Sequence, residues 1–211
     1  MEAARPEQAL LAFAASVFVF HHLPTAAGDA GDWIDLATPF AVVGAAAALL
    51  AALRPPATAL SVAFLAALLY VDGHGIHLAA NSVARESPTG EAERVAHFWD
   101  ERFSHVEWHL GWIGLMGAFC LAERARPRPL GVRVQGATAL LLGLALFTNT
   151  VEGGTWWLVL GAAAVFAVWA LRDRRPLLLA CAAALALATV LIGVWAVWQG
   201  GVPEFSEVGL I

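Results

Sequence analysis

The segment Ala57–Ala80 reads ATALSVAFLAALLYVDGHGIHLAA, and it contains both features that decide the fold. Its first part, Ala57–Val71, is almost entirely apolar, and its last part carries Asp72, His74 and His77. A run of about 20 apolar residues is long enough to cross the hydrocarbon core of a bilayer. The segment therefore predicts a membrane-spanning helix with ionisable side chains at one end.

The remainder of the chain repeats this apolar pattern. Of 211 residues, 60% are hydrophobic and only 14% are charged, and the mean hydropathy is +0.70, which is more apolar surface than a soluble core can hide. Further apolar stretches cover Gln8–Leu23, Ile34–Leu53, Phe103–Leu121, Val134–Val151, Thr155–Leu171 and Pro176–Gln199. We predict an all-α fold in which residues 1–211 form a single domain of seven transmembrane helices.

The first stretch is interpreted as a helix of the mature protein, because it ends without the small-residue cleavage site of a signal peptide. Cys120 and Cys181 lie within apolar stretches, and we expect neither a disulfide nor a thiolate metal site from them. The sequence has no phosphate-binding glycine loop and no basic patch, so binding to nucleic acid is not expected.

The arginines predict the orientation of the bundle, because loops on the cytoplasmic side of a membrane are enriched in Lys and Arg. The second, fourth and sixth connections hold Arg54, Arg124, Arg126, Arg128, Arg133, Arg172, Arg174 and Arg175, whereas the first holds Asp29, Asp32 and Asp35 without a base. The third connection mixes both signs. We predict that the N-terminus is inside and the C-terminus is outside, in a bacterial inner (plasma) membrane.

Six of the seven histidines fall at the predicted extracytoplasmic ends of the apolar stretches. Ionisable groups at membrane depth are costly and indicate function, and neutral imidazole is the commonest metal ligand of proteins. The pattern predicts a metal centre near that membrane surface. Its expected ligands are His22, His74, His77, His105, His109 and Glu101. The sequence does not decide which of His21, His22, His97 and Glu152 join the site.

A spacing of four residues links Glu93, His97, Glu101, His105 and His109. On an α-helix this spacing places side chains on one face, and two histidines four apart can bind one metal ion. For Glu93 and His97 we favour an ordinary surface helix. His105 and His109 stand within an apolar stretch, so for them we favour a metal or catalytic role.

The predicted chemistry is hydrolysis of a membrane lipid or another apolar small molecule. A divalent metal, with zinc favoured and iron or copper open, would lower the pKa of a bound water towards neutrality. Asp72 or Glu107 would take the proton of that water, and Asn149 would stabilise developing negative charge.

In architecture and type of site the chain resembles the superfamily of alkaline ceramidases and adiponectin-type receptors, which are seven-helix membrane proteins with Asp, Ser and His near one surface. This resemblance implies zinc-dependent hydrolysis of lipid amides. The family places an H-x-x-x-H pair in its last helix, whereas the pair here, His105 and His109, lies in the fourth apolar stretch. The residues that the resemblance implies are His74, His77, Asp72, His105 and His109, with Ser82 or Ser104 assisting.

Two other functions use the same residues. Six histidines with Asp72, Glu101, Glu107 and Glu152 suffice for two metal ions, as in the dinuclear iron or copper centres of membrane oxygenases and desaturases, although their H-x-x-H-H boxes are absent here. Alternatively, facing histidines such as His22, His77 and His109 would hold haem, or a metal in a transport or sensor protein. The oligomeric state is not decided by the sequence.

Overall fold

The computed structural model describes residues 6–127 and 129–210, and the regular structure in these residues is entirely helical. A short 3₁₀ turn, Gly28–Ala30, precedes the second helix, and a π-helical segment, Phe98–Ser104, leads into the fifth. The α-helices are α1 (Pro6–Ala26), α2 (Gly31–Leu53), α3 (Ala57–Glu86), α4 (Glu91–His97), α5 (His105–Ala125), α6 (Val132–Glu152), α7 (Trp156–Arg172) and α8 (Pro176–Gln199).

Each apolar stretch predicted from the sequence coincides with a helix. Five of these helices, α1, α2, α3, α6 and α8, are long and apolar enough to cross a membrane. Helix α7 is apolar but shorter, with 17 residues, and α5 carries several polar residues and falls outside this set. The all-helical fold and its compatibility with a membrane are thus confirmed.

The predicted third loop, Asn81–Arg102, is largely helical. Helix α3 continues to Glu86, so its 30 residues make it about 45 Å long, and helical structure resumes at Glu91. The interruption falls on Ser87-Pro88-Thr89-Gly90, where proline disfavours helix in the residue before it and Gly90 has a φ of +93°. The polar end of α3 therefore extends beyond the length that a bilayer core requires.

Short connections make successive long helices antiparallel, so the bundle has two chemically different ends. The end where α1, α3, α6 and α8 finish is called the histidine end. The opposite end, where α2, α5 and α7 finish, is called the arginine end, and its described arginines are Arg54, Arg124, Arg126, Arg133, Arg172, Arg174 and Arg175. Arg128 and the side chain of Asp29, both used in the orientation prediction, lie outside the described part of the structure.

Helices α3 and α5 form the most extensive helix pair, and glycines allow their backbones to touch. A Cβ added at Gly73 would stand 2.6 Å from the backbone oxygen of Ser104, and one at Gly111 would stand 2.6 Å from the backbone oxygen of Ala66. Both distances are too short for any side chain. This close contact, typical of small residues in membrane bundles, fixes the histidines of the two helices beside each other.

The C-terminal residues fold back over the histidine end. The backbone N–H groups of Phe205 and Ser206 donate to Glu152 Oε2 at 2.8 and 3.2 Å, and Trp195 Nε1 donates to the carbonyl of Pro203 at 2.9 Å. The ring of Phe205 also packs on Trp195, with 4.9 Å between ring centres. Glu152, which the sequence left undecided as a site residue, therefore anchors this segment.

At the arginine end a buried carboxylate caps α8. Glu123, on α5, is 1% exposed, and its two oxygens accept the backbone N–H groups of Leu177 and Leu178 at 3.0 to 3.2 Å. These N–H groups belong to the first turn of α8 and have no partner within their own helix. Pro176, the residue before them, has no N–H group and therefore needs no acceptor. A negative charge at this position also matches the helix dipole.

We predict that Glu123→Ala destabilises the bundle by about 1–2 kcal/mol, the usual cost of losing a helix cap. Glu123→Gln should cost less, because the amide retains one acceptor oxygen. Thermal unfolding in detergent measures both effects. The control is Arg124→Ala, since Arg124 is 65% exposed and lies 3.9 Å from Asp173, and a loss as large in this variant would argue against a specific cap.

Candidate metal centre

Three side chains from α3, the π-helical segment and α5 converge at the histidine end. His77, Asp100 and His105 each offer a ligand atom, and these atoms all lie within 4.8 Å of one another. His77 Nδ1 is 2.5 Å from Asp100 Oδ1, and the rings of His77 and His105 are 5.1 Å apart. Asp100 and His105 are only 5% and 6% exposed. Two imidazoles and a carboxylate are a common set of metal ligands.

The π-helical segment brings Asp100 into this set. Its backbone closes wider turns than an α-helix does. Side chains four residues apart therefore do not stay on one helix face through Phe98–Ser104, as was predicted for the series from Glu93 to His109. The hydroxyl of Ser104, which is fully buried, donates to the backbone oxygen of Asp100 at 2.5 Å. Ser104 thus binds the backbone of the π-helical segment, and its role as an assisting residue stays a prediction from the resemblance.

Asp35, at the start of α2, joins His74 to His77. One of its carboxylate oxygens is 2.9 Å from His74 Nε2, and the other is 3.7 Å from His77 Nε2. Asn81, one turn beyond His77 on α3, places its amide nitrogen 3.2 Å from the same His77 atom. A carboxylate beside a ligating imidazole fixes the orientation and tautomer of the ring.

Of the other predicted metal ligands, Glu101 lies nearest to the three converging side chains. Its Oε2 is 3.4 Å from His105 Nδ1, and both atoms are buried without a hydrogen-bond partner among the described residues. His109 is fully buried on α5, its ring 6.0 Å from that of His105, and its Nδ1 is 2.7 Å from the hydroxyl of Thr155.

The structure places the first histidine pair differently. His22 donates from Nδ1 to the carbonyl of Phe18 at 2.6 Å, and its Nε2 is 2.9 Å from the hydroxyl of Thr148 on α6. With Asn149 it lines a cavity of about 330 Å³ between α1 and α6. His22 and Asn149 therefore lie near each other. The residues His77, Asp100 and His105 do not line this cavity.

His21 is part of a buried aromatic cluster. Its Nδ1 donates to the carbonyl of Val17 at 2.7 Å, so its Nε2 accepts the hydroxyl of Tyr70 at 2.9 Å. Its ring stacks on Trp108 and Trp112 with ring centres 5.1 and 5.2 Å apart. Both nitrogens of His21 are therefore already engaged.

Asp72 and Glu107 lie beside each other on α3 and α5. Each stands two residues from a buried histidine, and residues two apart on an α-helix point in nearly opposite directions. Asp72 is accordingly exposed and Glu107 half-buried. Their predicted role as the proton acceptor remains a prediction, but the helix register turns both carboxylates away from the converging imidazoles.

Trp108 is the packing centre of the site. Its indole, 6% exposed, lies 4.9 to 5.6 Å, between ring centres, from five imidazoles, those of His21, His74, His77, His105 and His109. Sequence reasoning missed this residue, because a tryptophan in an apolar helix needs no special role. It restricts the rotation of every histidine ring around it.

Sequence reasoning also missed Asp35 and Asp100. Asp35 stands within the predicted span Ile34–Leu53, and an acid inside an apolar stretch is itself a signal of a functional residue. For Asp100 the neighbouring Glu101 matched the spacing of an α-helix better, and no residue in the sequence marks the π-helical turn.

A polar cavity of about 530 Å³ lies next to the site, on the far side of Glu101 from His105. Glu101, His97, Thr155 and Glu204 are among its lining residues. Partial burial, followed by the negative charges of Glu101, Glu207, Glu152 and Asp100, raises the pKa of Glu204 to about 7. The polar cavity is therefore acidic, and it gains a further negative charge when Glu204 loses its proton as the pH rises through neutrality.

Comparison of the chain with models of known protein families, with curated proteins and with solved structures gives no match. The resemblance to the ceramidase and adiponectin-receptor superfamily stays a prediction from the residue pattern.

We predict that His77→Ala and His105→Ala each weaken metal binding by more than about 100-fold, because loss of a ligand should exceed the 10–100-fold cost of losing a supporting partner. His97→Ala is the matched control, since His97 is exposed and lines only the polar cavity. Titration of purified protein with Co²⁺, together with elemental analysis, measures the binding. Equal losses in all three variants would contradict the assigned centre.

Proposed function

We propose that the chain is a seven-helix integral membrane metalloenzyme that hydrolyses a lipid or a similarly apolar substrate at the extracytoplasmic surface. The observation that carries this proposal is the convergence of His77, Asp100 and His105. Three protein ligands drawn from imidazole and carboxylate are typical of catalytic zinc sites, which keep a fourth position for water or substrate.

The donor atoms present fit such an ion. His105 is 6% exposed, and its Nδ1 is a buried nitrogen without a hydrogen-bond partner among the described residues, which is costly unless another group binds it. A divalent ion held by these residues would act as a Lewis acid and lower the pKa of a bound water.

The surrounding side chains of the protein have separate tasks in this proposal. Asp35 and Asn81 hold the ring of His77 in one orientation, and Trp108 prevents the imidazoles from rotating. Glu101 stands between His105 and the polar cavity, so it is the carboxylate best placed to take a proton and release it to water. This proposal gives Glu101 the role that the sequence suggested for Asp72 or Glu107.

The distribution of charge supports the proposed orientation. Seven described arginines lie at the arginine end, whereas the described arginines of the third connection are Arg85, Arg94 and Arg102. The positive-inside rule counts Lys and Arg alone, so the larger number of arginines at the arginine end favours that end as the cytoplasmic one. With the arginine end in the cytoplasm, the metal centre would lie on the extracytoplasmic side.

This orientation predicts the outcome of two reporter fusions. A reporter enzyme that works only outside the cytoplasm should be active when fused to the C-terminus and inactive when fused after Arg126. Cell fractionation and immunoblotting confirm that both fusions are inserted. The reverse activities would place the histidine end in the cytoplasm, and would move the proposed substrate to the inner leaflet.

Oxidation by dioxygen is the second candidate function. Two histidines and one carboxylate also form the ligand set of many iron oxygenases, and Asp35 with His74 adds a second carboxylate–imidazole pair next to His77. A redox-active ion and an external electron donor would then be required. The same residues thus support two chemistries that differ in the source of the oxygen atom added to the product.

We predict that the oxygen atom added to the product comes from water. Purified protein is incubated with membrane lipid extract in water labelled with ¹⁸O, and in a parallel sample under ¹⁸O₂ with an electron donor. Mass spectrometry should find the label in released products only in the first sample, with loss on chelation and recovery with Zn²⁺. The control is His77→Ala, which should release nothing. Label from ¹⁸O₂ would favour oxidation, and no product in either sample would contradict an enzyme acting on these lipids.

A further inference from the structure

An apolar groove of about 510 Å³ lies between α2 and α3. Helix α2 contributes Leu36, Phe40 and Gly44 to its walls, and α3 contributes Val71 and Gly75. Both helices are among the five that are long and apolar enough to cross a membrane. The volume is within the range of small-molecule sites in proteins, roughly 300–1,000 Å³.

The groove faces outward from the bundle. Phe40 is 77% exposed, Leu36 49% and Val71 45%, so the mouth of the groove opens on the side that a bilayer would cover. Two glycines leave the space open, because a Cβ added at Gly44 or Gly75 meets no other atom within 4 Å. At the depth of a membrane-spanning helix the surrounding medium consists of acyl chains.

The inner wall of the groove carries its one imidazole, that of His74, which is fully buried. His74 Nε2 is 2.9 Å from Asp35, and the other oxygen of this carboxylate is 3.7 Å from His77 Nε2. Two short contacts therefore connect the apolar groove to the proposed metal centre. From Leu36 to Gly44 the groove follows α2 over nine residues, or about 12 Å of helix.

A larger apolar cavity, of about 730 Å³, lies between α3 and α4. Ile76, Val95 and Trp99 are among its lining residues, and the one ionisable residue lining it is Glu91 at the start of α4. Glu91 pairs with Arg94, and the described residues that line this cavity include no histidine. The contrast favours the groove between α2 and α3 as the route to the centre.

We infer that this groove binds one acyl chain of the substrate, which is therefore a membrane lipid that enters sideways from the bilayer. This inference rests on the proposed function, because the bound lipid is a substrate only if the protein is the proposed hydrolase. The chain lies along Leu36, Phe40, Val43 and Leu78, and the polar part of the lipid lies beside Asp35 and His74. The polar cavity on the other side of the centre, lined by Glu101 and Glu204, supplies water and receives the released head group.

The test fills the groove without disturbing the packed core. Gly44→Phe and Gly75→Phe each place a ring in the open space, and Gly44 is remote in sequence from every proposed ligand. Gly193→Phe is the matched control, because Gly193 is also exposed, on α8, with no atom within 4 Å of an added Cβ. Elemental analysis of each variant checks that the metal centre is intact.

The probe is a fatty acid with a photoreactive diazirine near its chain end, in nanodiscs that contain the protein. Mass spectrometry of the cross-linked peptides should find α2 and α3 groove residues labelled well above the exposed face of α8. Gly44→Phe and Gly75→Phe should each lower groove labelling about tenfold, equivalent to about 1.4 kcal/mol, whereas Gly193→Phe should leave it unchanged. Equal labelling of the groove and of α8, or groove labelling that neither Gly44→Phe nor Gly75→Phe lowers, would overturn the groove as an acyl-chain site.

Release of labelled product from lipid extract gives the second readout. Both filler variants should lose at least about tenfold in turnover while keeping their metal, a loss expected if the chain must enter the groove to react. Undiminished turnover in a filled variant would overturn the inference that the bound chain belongs to the substrate. If the unsubstituted protein is labelled in the groove but releases no product, the acyl-chain site stands and the proposed hydrolase activity is contradicted.

Discussion

The contact between the backbones of α3 and α5 is the constraint on which the histidine end depends. Gly73 and Gly111 lie where any side chain would collide with the facing helix, so the two helices approach closely only because these positions lack a Cβ. His74 follows Gly73 directly, His77 stands one helical turn further on, and His109 stands two residues before Gly111. Wider separation of the helices would separate the imidazoles by the same amount, and the carboxylates between them would lose their partners.

Several of the polar side chains at this end are partners of one another. Asp35 contacts two imidazoles, Asp100 contacts one, and Tyr70 occupies the second nitrogen of His21. Burying such groups singly in an apolar bundle is expensive, so a connected network is the arrangement that physical chemistry favours. Trp108 fills the space among the rings, which leaves few alternative rotamers. The result is a rigid set of donor atoms, as a binding site that must be preorganised requires.

Most of the fold could be predicted from the sequence, whereas the inner arrangement of the site could not. Apolar runs locate the helices because hydrophobicity is a local property, and arginines distinguish the two ends. The histidines were assigned to one end for the same reason. Which carboxylates meet them depends on helix rotation. The α-helical register turns Asp72 and Glu107 away from the imidazoles, and the wider π turn brings in Asp100, next to Glu101. Asp35 was visible as an acid within an apolar run, but its partners on α3 are set only by packing.

The π-helical segment, Phe98–Ser104, also has an evolutionary consequence. A π turn closes its hydrogen bond over one residue more than an α turn does, and such turns are frequent at functional sites. Deleting one residue there would leave α4 and α5 as a continuous helix with its hydrophobic faces nearly unchanged, while rotating Asp100 relative to His105. Homologous chains could therefore keep the same bundle and differ in whether they hold a ligand set at all. In an alignment, the number of residues between these two positions would distinguish such branches better than overall identity.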